Sequence, residues 1–301
     1  MITERINGSF TIQYVFHKMK AYMDLLKLRL SLLVVFSAGM GYMLGHNGAM
    51  DWNRFVLFLI CGLLITGASN TINQIIEKDL DKLMNRTCKR PLPTGRLSVN
   101  EAIWYATLMG VAGFLLMAFY INILAASLSL LSLILYGFVY TPLKRVSSIA
   151  VLVGAFPGAL PPLIGWAAAT NGINIEGLLL FGIQFIWQFP HFWAIAWVLD
   201  EDYKKAGFRL LPAEGEKNLN TAFQIMIYTL MLIPLGLIPA KLGYTGINSA
   251  IIATVCGSLF LMQTFYLMKE CSRKAALQIM FGSFFYLPIV QIAFVLDKIV
   301  R

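Results

Sequence analysis

Nine apolar runs, each close to 20 residues long, leave this chain few ways to fold. They lie at about Leu26–Leu44, Phe55–Ile76, Ala102–Tyr120, Ile123–Tyr140, Ile149–Ala169, Leu178–Leu199, Ala222–Pro239, Ile247–Met268 and Ala275–Leu296. Crossing a hydrocarbon layer takes roughly 20 helical residues, and lipid offers no partner to an unpaired backbone group, so runs of this length become helices. With 58% hydrophobic residues and 13% charged, an ordinary soluble domain is excluded. The expected fold class is all-α, a polytopic membrane bundle of nine helices forming a single transmembrane domain over residues 1–301. Residues 1–24 read as an interfacial lead-in, with Arg5, Lys18 and Lys20 beside Phe10, Tyr14 and Phe16. Only Ile121 and Asn122 separate the third run from the fourth, so eight spans with one broken element is the competing count.

Charge distribution sets an expected orientation. Twenty of the 24 Lys and Arg residues fall before or at the start of the first run or in alternate connections, against four (Arg54, Lys241, Lys298, Arg301) on the other side. By the positive-inside rule this puts the N-terminus and the charged loops in the cytoplasm and the C-terminus outside. The same bias accounts for the net charge of +9 without a nucleic-acid partner. Residues 1–20 are mixed and polar, so no removable signal peptide is expected and the first span directs insertion. Cys61, Cys88, Cys256 and Cys271 show no CxxC spacing and read as free thiols.

The most polar stretch, Asn73 to Arg96, follows the second run. On a helix continued through Asp81, Asn73, Glu77 and Asp81 fall at i, i+4 and i+8 on one face, while Asp79 points elsewhere. Arg86, Lys89 and Arg90 follow, and then Pro91. Two acids and an amide beside arginines suit a diphosphate bridged by Mg²⁺: the oxygens hold the metal and Arg86 and Arg90 clamp phosphate, with Lys89 and Arg96 as weaker candidates. The plain alternative is a helix end whose acids pair with neighbouring bases. Polar groups at the end of an apolar helix are costly and commonly functional, which favours the metal reading. A second acid cluster, Asp200, Glu201 and Asp202, follows the sixth run on the same expected side, and Asp202 is the candidate for a second metal ligand. Tyr140, Lys144 and Arg145 add a phenol and two bases at that level. His191 is either a polar residue satisfied inside the bundle or a contact to a planar substrate or cofactor. Pro157, Pro161 and Pro162, with Gly154, Gly158 and Gly165, free backbone groups and thin the fifth span.

These residues resemble the intramembrane prenyltransferase superfamily that includes 4-hydroxybenzoate polyprenyltransferase, and more closely its haem O synthase branch. The resemblance covers about Asn73 to Pro212. It runs through Asn73-x3-Glu77-x3-Asp81-x2-Met84-x-Arg86-Thr87-x2-Arg90-Pro91, Tyr140-Thr141-x2-Lys144-Arg145, Gly158-Ala159-x-Pro161-Pro162-x2-Gly165-Trp166, Trp187-Gln188-x-Pro190-His191-Phe192 and Asp202-Tyr203-x2-Ala206-Gly207. It implies an Mg-dependent farnesyl transfer from farnesyl diphosphate to a vinyl group of haem b, the haem being substrate rather than prosthetic group, with haem O and diphosphate as products. One or two Mg²⁺ ions would sit on Asn73, Glu77 and Asp81 and near Asp202. Arg86, Arg90, Lys144 and Arg145 would hold phosphate oxygens, Tyr140 would face the allylic cation, and His191 would contact the haem iron or a propionate. The resemblance further implies a bacterial plasma membrane and a haem A synthase or haem-copper oxidase assembly partner. The competing readings are transfer to an aromatic quinone precursor such as 4-hydroxybenzoate, a haem-binding assembly factor without chemistry, and a transporter. A transporter would carry its charges near the bilayer midplane, whereas these cluster at one face.

Overall fold

The computed structural model describes residues 2–212 and 215–299, with side chains described from residue 13 onward; the side chains of Arg5 and Phe10, and Arg301, lie outside the described residues. The helices are α1 (Ile2–Leu26), α2 (Leu28–Gly45), α3 (Trp52–Ile76), α4 (Lys78–Asp81), α5 (Val99–Tyr120) and α6 (Ile123–Ile134). A π-helical stretch, Leu135–Tyr140, leads into α7 (Thr141–Leu143). Then come α8 (Ala150–Thr170), α9 (Ile175–Val198), α10 (Asp200–Lys205), α11 (Leu219–Lys241), α12 (Ile247–Glu270) and α13 (Arg273–Leu296). Among the described residues nine of these elements are long and apolar enough to cross a membrane, with Ile123–Leu143 counted as one.

The count of nine rests on the turn at Ile121–Asn122. The Asn122 side chain accepts from the Ala125 N–H and so caps α6, and its amide donates to the carbonyls of Ala167 (2.9 Å) and Ala168 (3.2 Å). One residue thereby ends the continuity of the third and fourth spans and ties their turn to α8.

Enclosure of α8 by α2, α6 and α9 follows from its glycines and prolines. A Cβ on Gly165 would overlap the Ala38 carbonyl, and one on Gly41 would overlap the Pro162 carbonyl, so α2 and α8 meet backbone to backbone. Pro161 and Pro162 carry no N–H, which leaves the carbonyls of Pro157 and Gly158 without their helical donors. Neighbouring helices supply replacements: Ser132 donates to Pro157 O (3.3 Å), and the amides of Gln184 and Gln188 donate to Gly158 O (2.7 and 2.8 Å).

A similar substitution shapes the end of the fourth span. Both the N–H and the hydroxyl of Thr141 bond the Tyr136 carbonyl, five residues back, which widens that turn to π geometry and leaves the Tyr136 and Tyr140 rings 5.4 Å apart. On the side of the charged loops, α1 buries Ala21 and Leu25 against Leu92, Leu97 and Ala102 and is tied down by Asp24–Arg96 (2.9 Å) and Lys18–Glu101. It leaves Tyr14, Phe16, Met19 and Met23 exposed. The four cysteines are free thiols.

Candidate active site

The helix that was expected to run through Asp81 breaks at Glu77. There α3 ends, Glu77 takes φ −90° and ψ 5°, and α4 restarts at Lys78. The shared face survives, because Glu77 N–H donates to the Asn73 carbonyl (3.0 Å) and Asp81 N–H to the Glu77 carbonyl (2.7 Å), carrying the four-residue spacing across the break. Asn73, Glu77 and Asp81 all line one cavity, and all three are buried.

Each acid has a base against it. Glu77 Oε1 accepts from Lys144 Nζ at 2.8 Å, and both oxygens of the fully buried Asp81 accept from Arg90 Nη1 at 2.8 and 2.7 Å. Loss of water pushes the Asp81 carboxyl above its ordinary range against the opposing pull of Arg90. For Lys144 burial works the other way, but Glu77 and Tyr136 outweigh it and hold the ammonium above its usual value. The Asn73 amide donates to Thr141 Oγ1 (3.2 Å) and its oxygen accepts from Lys27 Nζ (2.8 Å).

The cavity has a volume of about 390 Å³, enough for one prenyl diphosphate-sized ligand, and it has two ends. At the mouth stand Lys27, Arg86, Arg90 and Lys144 against Glu77 and Asp81, a surplus of positive charge suited to a polyanion. Farther in, Leu30, Val34, Ile65, Leu133, Phe192 and Leu287 make an apolar wall. Tyr140 stands between the two ends: its ring packs on Gly154, where a Cβ would come within 2.6 Å of it, and holds Lys144 Nζ at 4.5 Å from its centroid. His191 lines the same cavity, its Nδ1 2.8 Å from Ser283 Oγ and its ring stacked on Trp187 (4.3 Å between centroids).

Four residues grouped with this site by sequence stand elsewhere. Asp202 does not line the cavity; its carboxylate accepts from the N–H groups of Asn85 (3.0 Å) and Arg86 (3.1 Å) and pairs with Lys205 (3.3 Å). Burial acts against this carboxylate, yet those donors hold its pKa below the ordinary value. It therefore clasps the loop that presents Arg86. Arg145 is exposed and outside the cavity lining. Arg96 is committed to Asp24 and the Lys89 carbonyl, and Lys89 points to solvent.

One functional candidate lies outside the sequence reading. Lys27 joins α1 to α2 in the left-handed conformation (φ 47°), which a residue with a Cβ rarely adopts outside functional or constrained positions. That turn brings its ammonium to Asn73, where burial and then the nearby Arg90 and Lys144 depress its pKa well below the ordinary value. Ser37, Gln184, Gln188 and Gln291 form a second group that charge counting passes over.

Among the described residues no three His, Cys, Asp or Glu side chains converge. The available donors are the oxygens of Asn73, Glu77 and Asp81. A set with only two carboxylates fits Mg²⁺, which binds through one or two carboxylates and completes its octahedron with ligand phosphates and water. It fits no closed thiolate or imidazole metal site.

Known proteins resemble this chain over most of its length. The UbiA prenyltransferase family model matches residues 33–288. The chain is 59% identical over 280 residues to the protoheme IX farnesyltransferase of Cytophaga hutchinsonii, covering 93% of this chain and 98% of that one. It is 46% identical over 303 residues to that of Flavobacterium psychrophilum, covering 98% and 99%. Among solved structures, a digeranylgeranylglyceryl phosphate synthase superposes with a TM-score of 0.78 at 21% identity (93% of this chain, 98% of that one), and so shares the fold. A UbiA homolog from Archaeoglobus fulgidus bound to GPP and Mg²⁺ superposes with a TM-score of 0.64 at 18% identity (91% and 99%). The chain thus belongs to the UbiA prenyltransferase family, among the protoheme IX farnesyltransferases.

Proposed function

We propose that this chain transfers the farnesyl group of farnesyl diphosphate to a vinyl group of haem b, forming haem O and releasing diphosphate. The observation that carries the donor half is a cavity that joins a mouth rich in bases to an apolar interior. The acceptor half is supported by the activity for which its relatives are named.

In this reading Arg86, Arg90, Lys144 and Lys27 receive the phosphate oxygens, and Arg90 and Lys144 exchange part of their pairing with Asp81 and Glu77 for the ligand. Asn73, Glu77 and Asp81 hold Mg²⁺, which supplies charge neutralisation of the leaving diphosphate. Tyr140 already holds a cation against its ring, and it stabilises the allylic cation in the same way as the C1–O bond opens. The apolar wall keeps water from that cation and accepts the farnesyl tail. Asp202 acts through Arg86 rather than through a metal, Arg145 acts from outside the cavity by long-range charge alone, and His191 faces the haem acceptor. The protein resides in a bacterial plasma membrane with the N-terminus and the mouth of the cavity in the cytoplasm and the C-terminus outside. It hands its product to a haem A synthase or an oxidase assembly partner.

Membranes holding the chain are incubated with labelled farnesyl diphosphate and haem b, and products are read by mass spectrometry. Label in haem O is the expected result. Label in 4-hydroxybenzoate, with none in porphyrin, overturns the acceptor assignment.

A further inference from the structure

An amide cluster stands in the cavity one helical turn below Tyr140. Tyr140 packs on Gly154 of α8 and Gln188 on Gly158, four residues and about 6 Å deeper. Gln184 and Gln188 each donate to the Gly158 carbonyl (2.7 and 2.8 Å). Gln184 Oε1 accepts from Ser37 Oγ (2.7 Å) and Gln291 Nε2 (3.0 Å), and Gln291 Nε2 also donates to Ser37 Oγ (2.8 Å). Two oxygens are left over. Gln291 Oε1 is buried without a partner although its residue is 6% exposed, and Gln188 Oε1 accepts nothing from the described residues; both side chains line the cavity. An unpaired buried carbonyl forfeits the hydrogen bonds it made to water, and polar residues inside a span are expensive enough to be functional by default.

Two acceptors left without a donor in one cavity call for a small neutral ligand with two O–H groups, which is water. One turn nearer the mouth on α9, His191 Nδ1 meets Ser283 Oγ. The single Ser283 proton goes to the Met280 carbonyl (2.7 Å), so Ser283 accepts from Nδ1–H and His191 Nε2 keeps its lone pair.

We propose that Gln188 Oε1 and Gln291 Oε1 orient the water that ends the reaction, with His191 Nε2 as its proton acceptor. This rests on the prenyl transfer proposed above. The C1–O bond breaks and its electron pair leaves with diphosphate. The vinyl π pair forms the bond from C1 to the terminal vinyl carbon and leaves the inner vinyl carbon cationic, two bonds from C1. Held by its two hydrogens, the water points a lone pair at that carbon and forms the C–O bond; the resulting oxonium then turns one O–H from its amide oxygen to His191 Nε2 and gives up that proton there. Without the water the cation instead loses a proton from the adjacent carbon and gives an alkene one water lighter.

The test uses membranes with the full chain, Gln188→Met or Gln291→Met, incubated with farnesyl diphosphate and haem b, with diphosphate release and product masses recorded. Each variant is expected to slow transfer by less than about tenfold while at least about half its product becomes the dehydrated alkene. Hydroxylated product in wild-type proportion from both variants overturns the proposal. So does loss of diphosphate release in both, because the amides would then serve an earlier step. A measurement on the unaltered chain stands apart from variant folding. Methanol has one O–H and cannot satisfy both oxygens, so in dilute methanol the methyl ether is expected at least about tenfold below its mole fraction. Methyl ether in proportion to the mole fraction overturns the site. If the unaltered chain yields no farnesylated porphyrin, the transfer reading itself fails.

Discussion

At the scale of single residues, the site is a set of charges that hold one another out of water. Lys144→Met leaves Glu77 as an unpaired charge in a buried wall, a change that costs about 3–5 kcal/mol when one partner of a buried pair is removed. Adding Glu77→Gln removes that charge, so the double variant is expected to regain most of the lost thermal stability in detergent while farnesyl transfer stays absent. Equal melting of single and double variants would mean the pair does not hold α4 against α7. A pH effect follows from Asp81, whose carboxyl burial holds above its ordinary 3.8 while Arg90 pulls it down. Only the ionised form can hold a cation, so kcat/KM falls as pH drops through this raised pKa. Arg90→Gln removes the downward pull, and the acid limb of the pH profile moves to higher pH. The acids were legible in the sequence because their four-residue spacing is a property of any helix. Lys27 was not legible: a base at the start of a span is already explained by topology, and nothing in the dipeptide Lys27-Leu28 announces a left-handed turn.

At the scale of elements, apolar run length fixed the spans to within about three residues at most ends, because lipid enforces helix wherever the chain is apolar. Glycines and prolines in the fifth run marked α8 as the closely packed helix. Which groups would answer its freed carbonyls depended on α6 and α9 and could not be read from spacing. The break at Glu77 involves no glycine or proline, and so gave no local signal. Gly165→Ala is expected to destabilise by about 1–3 kcal/mol or more, since the new methyl meets the α2 backbone rather than a side chain that can yield. Gly182→Ala, with open space around it, should be neutral or slightly stabilising, and thermal melts of the two variants compare them directly. The clasp of α10 on the arginine loop makes a separate prediction. Asparagine offers one acceptor oxygen where Asp202 uses two, so Asp202→Asn is expected to raise KM for farnesyl diphosphate by about tenfold, equivalent to about 1.4 kcal/mol. The Mg²⁺ concentration for half activity should not move. A tenfold shift there would restore Asp202 to the role of metal ligand.

At the scale of the whole molecule, the nine candidate spans among the described residues, an odd number, would leave the two ends of the chain on opposite sides, and the charged groups of the cavity mouth gather at one end. By the positive-inside rule, the tally of bases makes that charged end the expected cytoplasmic one. The orientation can be tested at two exposed positions in opposite connections, Ser148 and Asn47. In a chain cleared of its four native cysteines, Ser148→Cys should react with a membrane-impermeant maleimide only in inverted vesicles, and Asn47→Cys only in intact spheroplasts. The outcome bears on chemistry as well as topology. Farnesyl diphosphate and Mg²⁺ are cytoplasmic and the diphosphate cannot cross lipid, so a mouth lined by Lys27, Arg86, Arg90 and Lys144 can fill only from that side. Labelling of Ser148→Cys in spheroplasts would put the polyanion site where no polyanion reaches it, and the donor assignment would fall with the orientation.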